Sequence, residues 1–464
     1  MPLPLTRSLP TRRGFLRRIS YGLAAAPFAK PLLALAPHPP AKPALRLNVR
    51  DFGATGDGIA KDTASIQHAL DRCAVLGGGE VLLPAGKYLI GSIQLRSNVT
   101  LRLDAEAIIM GSDNPADYPV SEVRWEGKWI PGHVGLFYAF DAQNIGIVGA
   151  GRIVGANALG GRPTKESPLR HPALIEPIRC TGVRLEDFST SYYRMWSIHP
   201  TECENIFIRN LTIRSTGGNG HGIDVDSCKH VRIDRCDIST GDDCISLKSG
   251  RGEEGFTMHR PTEDVHISNC TFANSIFACI GIGSETSGGI RRVRITNCKF
   301  TAAKSHAIYI KSRPGRGPFL EDLTADGLEV SGMQAGFLRI NMLNSGIQDA
   351  DPVPGLQGIP SARNLTFTNI QITDCPVLVD ATAVHPDRAI DGFTLSNVTG
   401  TCAQGISLAN MRHVTLRNIH VTGFSGPLLR TYHVHGTGLQ GAVTMDAPPL
   451  PAPVLPPAVP YSLH

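Results

Sequence analysis

The stretch from Asn219 to Gly250, NGHGIDVDSCKHVRIDRCDISTGDDCISLKSG, holds four short alternating apolar runs: Ile223 and Val225, Val231 and Ile233, Cys236 and Ile238, Ile245 and Leu247. Apolar side chains at every second position put one face inward and the other in water. Each run is soon closed by Gly, Asn, Asp or Ser, which does not suit a sheet of long strands. Runs this short suit a chain that coils, stacking one layer of side chains on the next. Between the third and fourth runs lies a polar corner, Gly241-Asp242-Asp243-Cys244. Neighbours in a regular strand point to opposite faces, so two adjacent acids share a face only where the backbone turns. Gly241 is read as supplying that turn. Two carboxylates held on one surface resist ionising together, so one is expected to stay protonated. That acid-and-base pairing is what cleavage of a glycosidic bond needs. The plain alternative is a solvated Gly-Asp-Asp loop, and the context decides between them.

Outward from this stretch one pattern recurs. It reads Ile206-x-Ile208-x-Asn210-Leu211-x-Ile213, then Val231-x-Ile233-x-Arg235-Cys236-x-Ile238, then Val265-x-Ile267-x-Asn269-Cys270-x-Phe272 and Val293-x-Ile295-x-Asn297-Cys298-x-Phe300. Leu365-x-Phe367-x-Asn369-Ile370-x-Ile372 and Val414-x-Leu416-x-Asn418-Ile419-x-Val421 continue it, with a shorter copy at Phe393-x-Leu395-x-Asn397-Val398. Neighbouring copies are mostly 21 to 34 residues apart. That is the period of a solenoid, in which each unit buries its apolar face only against its neighbours. Asn tolerates a left-handed backbone between two strands, and its amide can stack on the amide of the next coil. The expected fold is all-β: a right-handed parallel β-helix advancing ~4.8 Å per coil, spanning residues 45–445 as one domain. A β-sandwich has similar strands but does not repeat one motif at one register.

At the N-terminal side, Asp62 is expected to cap an amphipathic helix that shows Ile66, Ala69, Leu70 and Cys73 on one face and ends at Gly77-Gly78-Gly79. This helix would cover the open end of the coil, whose exposed edge would otherwise template aggregation. The Gly-rich pieces lack the spacing of a phosphate loop. Residues 1–36 carry a twin-arginine export form, Thr11-Arg12-Arg13-Gly14-Phe15-Leu16-Arg17, before a weakly apolar run broken by Pro27, Lys30 and Pro31. The expectation is a cleaved signal read by the twin-arginine export machinery, hence a periplasmic or secreted protein with no membrane association afterwards. Removing its six basic residues takes the formal net charge from +5 to −1, so no broad basic surface for nucleic acid is implied. Of the 11 cysteines, Cys236, Cys270 and Cys298 share one repeat position, so they read as a stacked column of internal thiols. No CxxC pair or neighbouring His suggests a metal, and neither metal nor cofactor is expected. Trp125, Trp129, Tyr118 and Phe137, in a segment with little repeat signal, read either as rings of a loop over a groove or as plain packing. Trp196 is expected to be structural or at a groove edge. Residues 446–464 read as a Pro-rich, disordered tail.

Further motifs carry a family resemblance. Val49-Arg50-Asp51-Phe52-Gly53-Ala54, Gly56-Asp57-Gly58, Leu83-Pro84-Ala85-Gly86-Lys87-Tyr88 and Asn98-Val99-Thr100-Leu101 come first. Trp196-Ser197-Ile198-His199-Pro200, Asp224-Val225-Asp226-Ser227-Cys228, Gly241–Gly250 and Ile282-Gly283-Ser284-Glu285-Thr286-Ser287-Gly288-Gly289 follow in order. Together they resemble bacterial polygalacturonase-type proteins of glycoside hydrolase family 28, from about residue 48 to 320. The resemblance implies a β-helix that hydrolyses α-linked galacturonate in pectin with inversion, using three carboxylates, a His and an Arg-x-Lys pair. Asp242 matches the general acid, Asp243 a base positioning water, and Lys311 the Lys that holds a substrate carboxylate. Its parity agrees, because Ile308 and Ile310 point in while Tyr309 and Lys311 point out.

Three positions depart from the family pattern. Its first carboxylate falls on His221, its His on Phe277, and the Arg of Arg-x-Lys on Tyr309. Tyr309 is then expected to stack on a sugar, with Arg313 or Arg316 as the replacement cation. His221 is either a base for the attacking water or a surface His in a Gly-rich turn. Glu285 is expected to contact sugar or to support its own turn, and Asp224 to hold a sugar hydroxyl or position Lys248. The resulting expectation is a monomeric, inverting glycoside hydrolase on pectic galacturonate or rhamnogalacturonan-type chains, its two acids splayed ~6.5–9.5 Å apart. A glycan-binding β-helix without turnover and a calcium-dependent pectic lyase are the alternatives. The lyase would need an acid cluster that the sequence does not offer.

Overall fold

A computed structural model describes residues 45–156, 158–192 and 195–451. The expected export signal and most of the Pro-rich tail lie outside these residues. The repeat position of the sequence becomes a column. Val183, Ile206, Val231, Val265, Val293, Leu323, Leu365 and Phe393 pair one after another in parallel register, each buried. A second column runs Ile213, Ile238, Phe272, Phe300, Val330, Ile372. A third runs Ile223, Ile245, Ile280, Ile308, Leu338, Val379. The chain is thus a right-handed parallel β-helix, its strands running from Arg46–Asn48 to Val443–Thr444. Among the described residues no helix is long and apolar enough to cross a membrane.

The corner between the first two columns is where the repeated Asn sits. Asn210, Asn269, Asn297, Asn369, Asn397 and Asn418 all have φ between 52° and 55°, the left-handed region that Asn tolerates. Their side chains bond along the axis: Asn418 Nδ2 donates to Asn397 Oδ1 and Asn397 Nδ2 to Asn369 Oδ1, both at 2.9 Å. Asn369 Nδ2 ends the ladder on Asp326 Oδ1 at 2.7 Å. All 11 cysteines are free and buried. Cys236, Cys270 and Cys298 stack as expected, and Cys236 N donates to Cys270 Sγ at 3.4 Å. A second column, Cys180, Cys203 and Cys228, repeats the contact at 3.3 Å per step.

The capping helix, Thr63–Val75, buries Ile66, Ala69, Leu70 and Cys73. Asp62 occupies its N-cap position but does not cap it. Its carboxylate accepts instead from Thr55 N and Gly56 N, at 2.6 and 3.0 Å, and so ties down the preceding loop. The segment with little repeat signal forms an antiparallel hairpin, Val120–Trp125 with Lys128–His133. Tyr118, Trp125 and Phe137 are buried, so packing is the correct reading for these three. Trp125 stacks on Trp196 at 4.9 Å, and this pins the hairpin beside the third column.

Candidate functional site

The outward residues of the third column build the site. Asp224, Ser246, Gly281, Tyr309 and Arg339 are in register on successive coils, and Lys311 pairs with Asn341 two residues further along. Over this face lies a cleft of ≈ 540 Å³, lined by His221, Asp242, Asp243, Lys248, Glu285, Tyr309 and Lys311 among others. The sequence-predicted residues therefore converge, with Asp224 just beneath.

Asp242 and Asp243 occupy the bend before the strand Ile245–Lys248. The backbone bends at Gly241 as expected, without entering the left-handed region. Glycine is needed there because a Cβ would meet Gly217 O at 2.3 Å. Asp243 is almost wholly buried, yet it forms part of the cleft floor. Its Oδ1 accepts from Ala278 N at 3.0 Å; its Oδ2 accepts from Ser246 Oγ at 3.0 Å and Lys311 Nζ at 2.8 Å. A Cβ on Gly281 would lie 2.4 Å from Asp243 Oδ2, so only glycine on that coil leaves room for the pair. Lys311 has its ammonium pKa raised: burial opposes this, but the Asp243 carboxylate outweighs it.

His221 is not a surface residue. It is buried between two carboxylates, Nδ1 at 2.9 Å from Asp224 Oδ1 and Nε2 at 3.3 Å from Asp242 Oδ1. Burial disfavours its charge, but Asp224 and then Asp242 outweigh burial and push its pKa up to about 10. The imidazole therefore carries a proton at neutral pH, and the expectation that it serves as a base for water is corrected. Asp242 shows the converse. Burial raises its pKa, but the His221 charge and hydrogen bond, then Lys311, hold it well below the usual carboxylate range. The proton expected on Asp242 is thus on His221, because Asp224 and Asp242 both attract the imidazolium. One oxygen each of Asp242 and Asp243 and one His221 nitrogen lie within 4.8 Å of one another. These three side chains are close enough to share a cation, but the Lys311 ammonium and the charged imidazole already supply positive charge there.

Asp224 is fully buried, so of its two expected roles only positioning is open to it. It lies 3.5 Å from Lys248 Nζ as well as beside His221. Lys248 Nζ also meets Glu285 Oε1 at 3.3 Å and sits 4.9 Å from the Trp196 ring centre. Glu285 is ionised: burial opposes this, but Lys248, Arg316 and Arg251 hold its carboxyl well below its ordinary range. Tyr309 donates to or accepts from Ser345 Oγ at 2.9 Å, which fixes its ring at the wall. Phe277 stands half-exposed at the cleft. Of the two expected replacement cations, Arg313 turns away to Gly346 O at 2.6 Å. Arg316 lines the cleft, bonded to Asp349 Oδ2 at 2.9 Å and to Ser284 O.

Sequence reasoning missed Ser246, Glu126, Arg162 and the wall from Asn341 to Ile347. Ser246 was legible, since it shares outward parity with Lys248. Glu126 and Arg162 come from the segment without repeat, and their salt bridge at the cleft is a tertiary event.

The family model of glycosyl hydrolases family 28 matches residues 73–337. A probable polygalacturonase of Vitis vinifera is 30% identical over 75% of this chain and 73% of its own length. An exo-poly-alpha-D-galacturonosidase of Dickeya chrysanthemi is 26% identical over 80% of this chain and 71% of its own. Among solved structures, a hyperthermoactive exopolygalacturonase from Thermotoga maritima aligns with a TM-score of 0.64 at 26% identity, covering 83% of this chain and 94% of that one. The family 28 exopolygalacturonase of Yersinia enterocolitica gives a TM-score of 0.73 at 22% identity, over 85% and 78%, and shows the shared fold. With a shared coil, a relative 30% identical over most of both chains and a family model spanning more than half its length, this chain is a glycoside hydrolase and belongs to glycosyl hydrolases family 28.

Proposed function

We propose that this hydrolase cleaves the bond to a galacturonate residue in a pectic chain, with the proton held jointly by His221 and Asp242 as the general acid. The observation that carries this reading is the 3.3 Å contact between His221 Nε2 and Asp242 Oδ1 at the cleft. The pair rests as imidazolium and carboxylate. As the glycosidic C–O bond breaks, the pair's proton passes to the leaving oxygen, which keeps the bonding electrons. His221 and Asp242 then remain as imidazole and carboxylate. Water forms the new C–O bond at the anomeric carbon and gives its proton to Asp243, which Ser246 and Lys311 hold in place. Asp224 fixes Nδ1 of the imidazole, so that Nε2 is the nitrogen facing Asp242. A substrate carboxylate would find Lys311 and Arg162 at the cleft, and Tyr309 and Phe277 offer rings to the apolar faces of sugars.

The relatives' names, polygalacturonase and exo-poly-alpha-D-galacturonosidase, support the pectic substrate, and membership in a hydrolase family favours hydrolysis over elimination or binding alone. Inversion is part of the proposal. In the test, Asp242→Asn lowers release of reducing ends from galacturonate oligomers by about 10²–10⁴-fold. Proton NMR of the first wild-type product shows the inverted anomer. Wild-type rates in the Asn variant would overturn the assignment. We also propose twin-arginine export, supported by Arg12-Arg13 in its motif. Replacing both by Lys should leave the precursor in the cytoplasm, and unchanged export would exclude that route.

A further inference from the structure

We propose that a stripe across the face built by the first column is a second, non-catalytic binding site for a linear polyuronate chain, which tethers the polymer whose ends or bonds the cleft attacks. The identity of the ligand rests on the pectic reading above. The stripe is the outward column that runs Phe207, Arg232, His266, Arg294, Thr324, Thr366, one residue per coil in unbroken parallel register. It lies over a shallow groove of ≈ 720 Å³ that Arg232, His266, Arg294, Thr324 and Thr366 line. The cleft uses the third column, on a different face of the coil, so the two sites do not share a residue.

Three observations point to an acidic glycan. Among the described residues, Arg232 and Arg294 are exposed and neither has a carboxylate partner, although most exposed arginines do. The acids beside them are engaged elsewhere. Asp264 binds Arg292 Nε at 2.6 Å and lies 3.4 Å from His230, while Asp322 accepts from Asn364 at 2.8 Å. Lastly, the column's composition fits a sugar polymer. A half-buried ring comes first, then cation, imidazole, cation, then two hydroxyls, and His266 Nε2 is already bonded to Thr296 Oγ1 at 2.9 Å. Rings take the apolar face of a pyranose, arginines its carboxylates, and threonines its hydroxyls. Coils stacked ~4.8 Å apart present these groups at about the length of one sugar in a chain laid along the axis. The charge neighbourhood is felt at His266, whose pKa falls through burial and then through Arg232 and Arg294.

The test uses the full chain carrying Arg232→Ala and Arg294→Ala together, both exposed and remote from the cleft. Native electrophoresis through gels containing long polygalacturonate reads binding, and kinetics on the long polymer and on a three-residue galacturonate oligomer read turnover. The expected result is a roughly fivefold weaker retardation and a roughly fivefold higher KM on the polymer, with the oligomer's kcat and KM unchanged. The wild-type advantage should shrink as salt rises past about 0.15 M. Unchanged retardation and polymer KM would overturn the stripe, and so would retardation by an unrelated polyanion alone. If wild type fails to cleave even the oligomer, the pectic reading of the cleft falls, while retardation still reports on the stripe separately.

Discussion

His221 lies between two carboxylates, and these acidic neighbours decide what it becomes. A buried imidazole alone would lose its proton; between Asp224 and Asp242 it keeps one up to a pH of about 10. The consequence for stability has a definite sign. The folded pKa lies above the ordinary 6.5, so the contribution is complete below pH 6.5 and is lost as pH rises towards 10. Asp242 acts the other way, its contribution present above its ordinary 3.8 and lost as pH falls below it. Melting curves should therefore show the wild type losing up to a few kcal/mol between neutral and alkaline pH that His221→Asn does not lose. The same variant should lower kcat by about 10²-fold or more, and rates equal to wild type would remove His221 from the chemistry. The sequence placed His221 and Asp242 in one stretch. It left the proton on the wrong partner, because residue spacing does not report which charges surround a buried ring.

At the scale of single coils, the site is a set of parallel strands that must carry polar side chains at one height on one face. Gly281 shows how tightly this is built. It separates the coil bearing Ser246 from the coil bearing Tyr309, and Asp243 and Lys311 meet over it. A methyl group at Gly281 would stand 2.4 Å from Asp243 Oδ2 and 3.3 Å from Lys311 Cε. Gly281→Ala should thus break the Asp243–Lys311 contact and lower kcat at least about tenfold, since small misplacements of catalytic groups are costly. Melting temperature should change little, because the displaced atoms belong to side chains at the cleft. A variant with wild-type kcat would show that this contact does not matter to turnover. Strand parity alone gave the outward direction of Lys311 and Tyr309. The need for glycine opposite them appears only once adjacent coils are stacked.

Over the whole solenoid, stability rests on many similar layers without cross-links. All 11 cysteines are free and buried, several in columns along the axis. Reductant should leave the melting temperature unchanged, and thiol alkylation should label essentially none of them before unfolding. Labelling of the native protein, or a melting point lowered by reductant, would contradict the packed-thiol arrangement. The coil, its register and its capping helix were legible in the sequence because they are periodic. Apolar parity, the in-line Asn and one repeat spacing are each set locally and then copied. Lys311 was legible for the same reason, as an outward position on a repeated strand, and the acidic corner was legible as the polar break between two apolar runs. What only the tertiary structure decided is aperiodic: the hairpin pinned by Trp125 on Trp196, the wall from Asn341 to Ile347, and the enclosure of His221 by two acids. Those contacts join residues far apart in sequence, or depend on how deeply a group is buried, and burial and Coulomb interaction exist only once the coils are stacked.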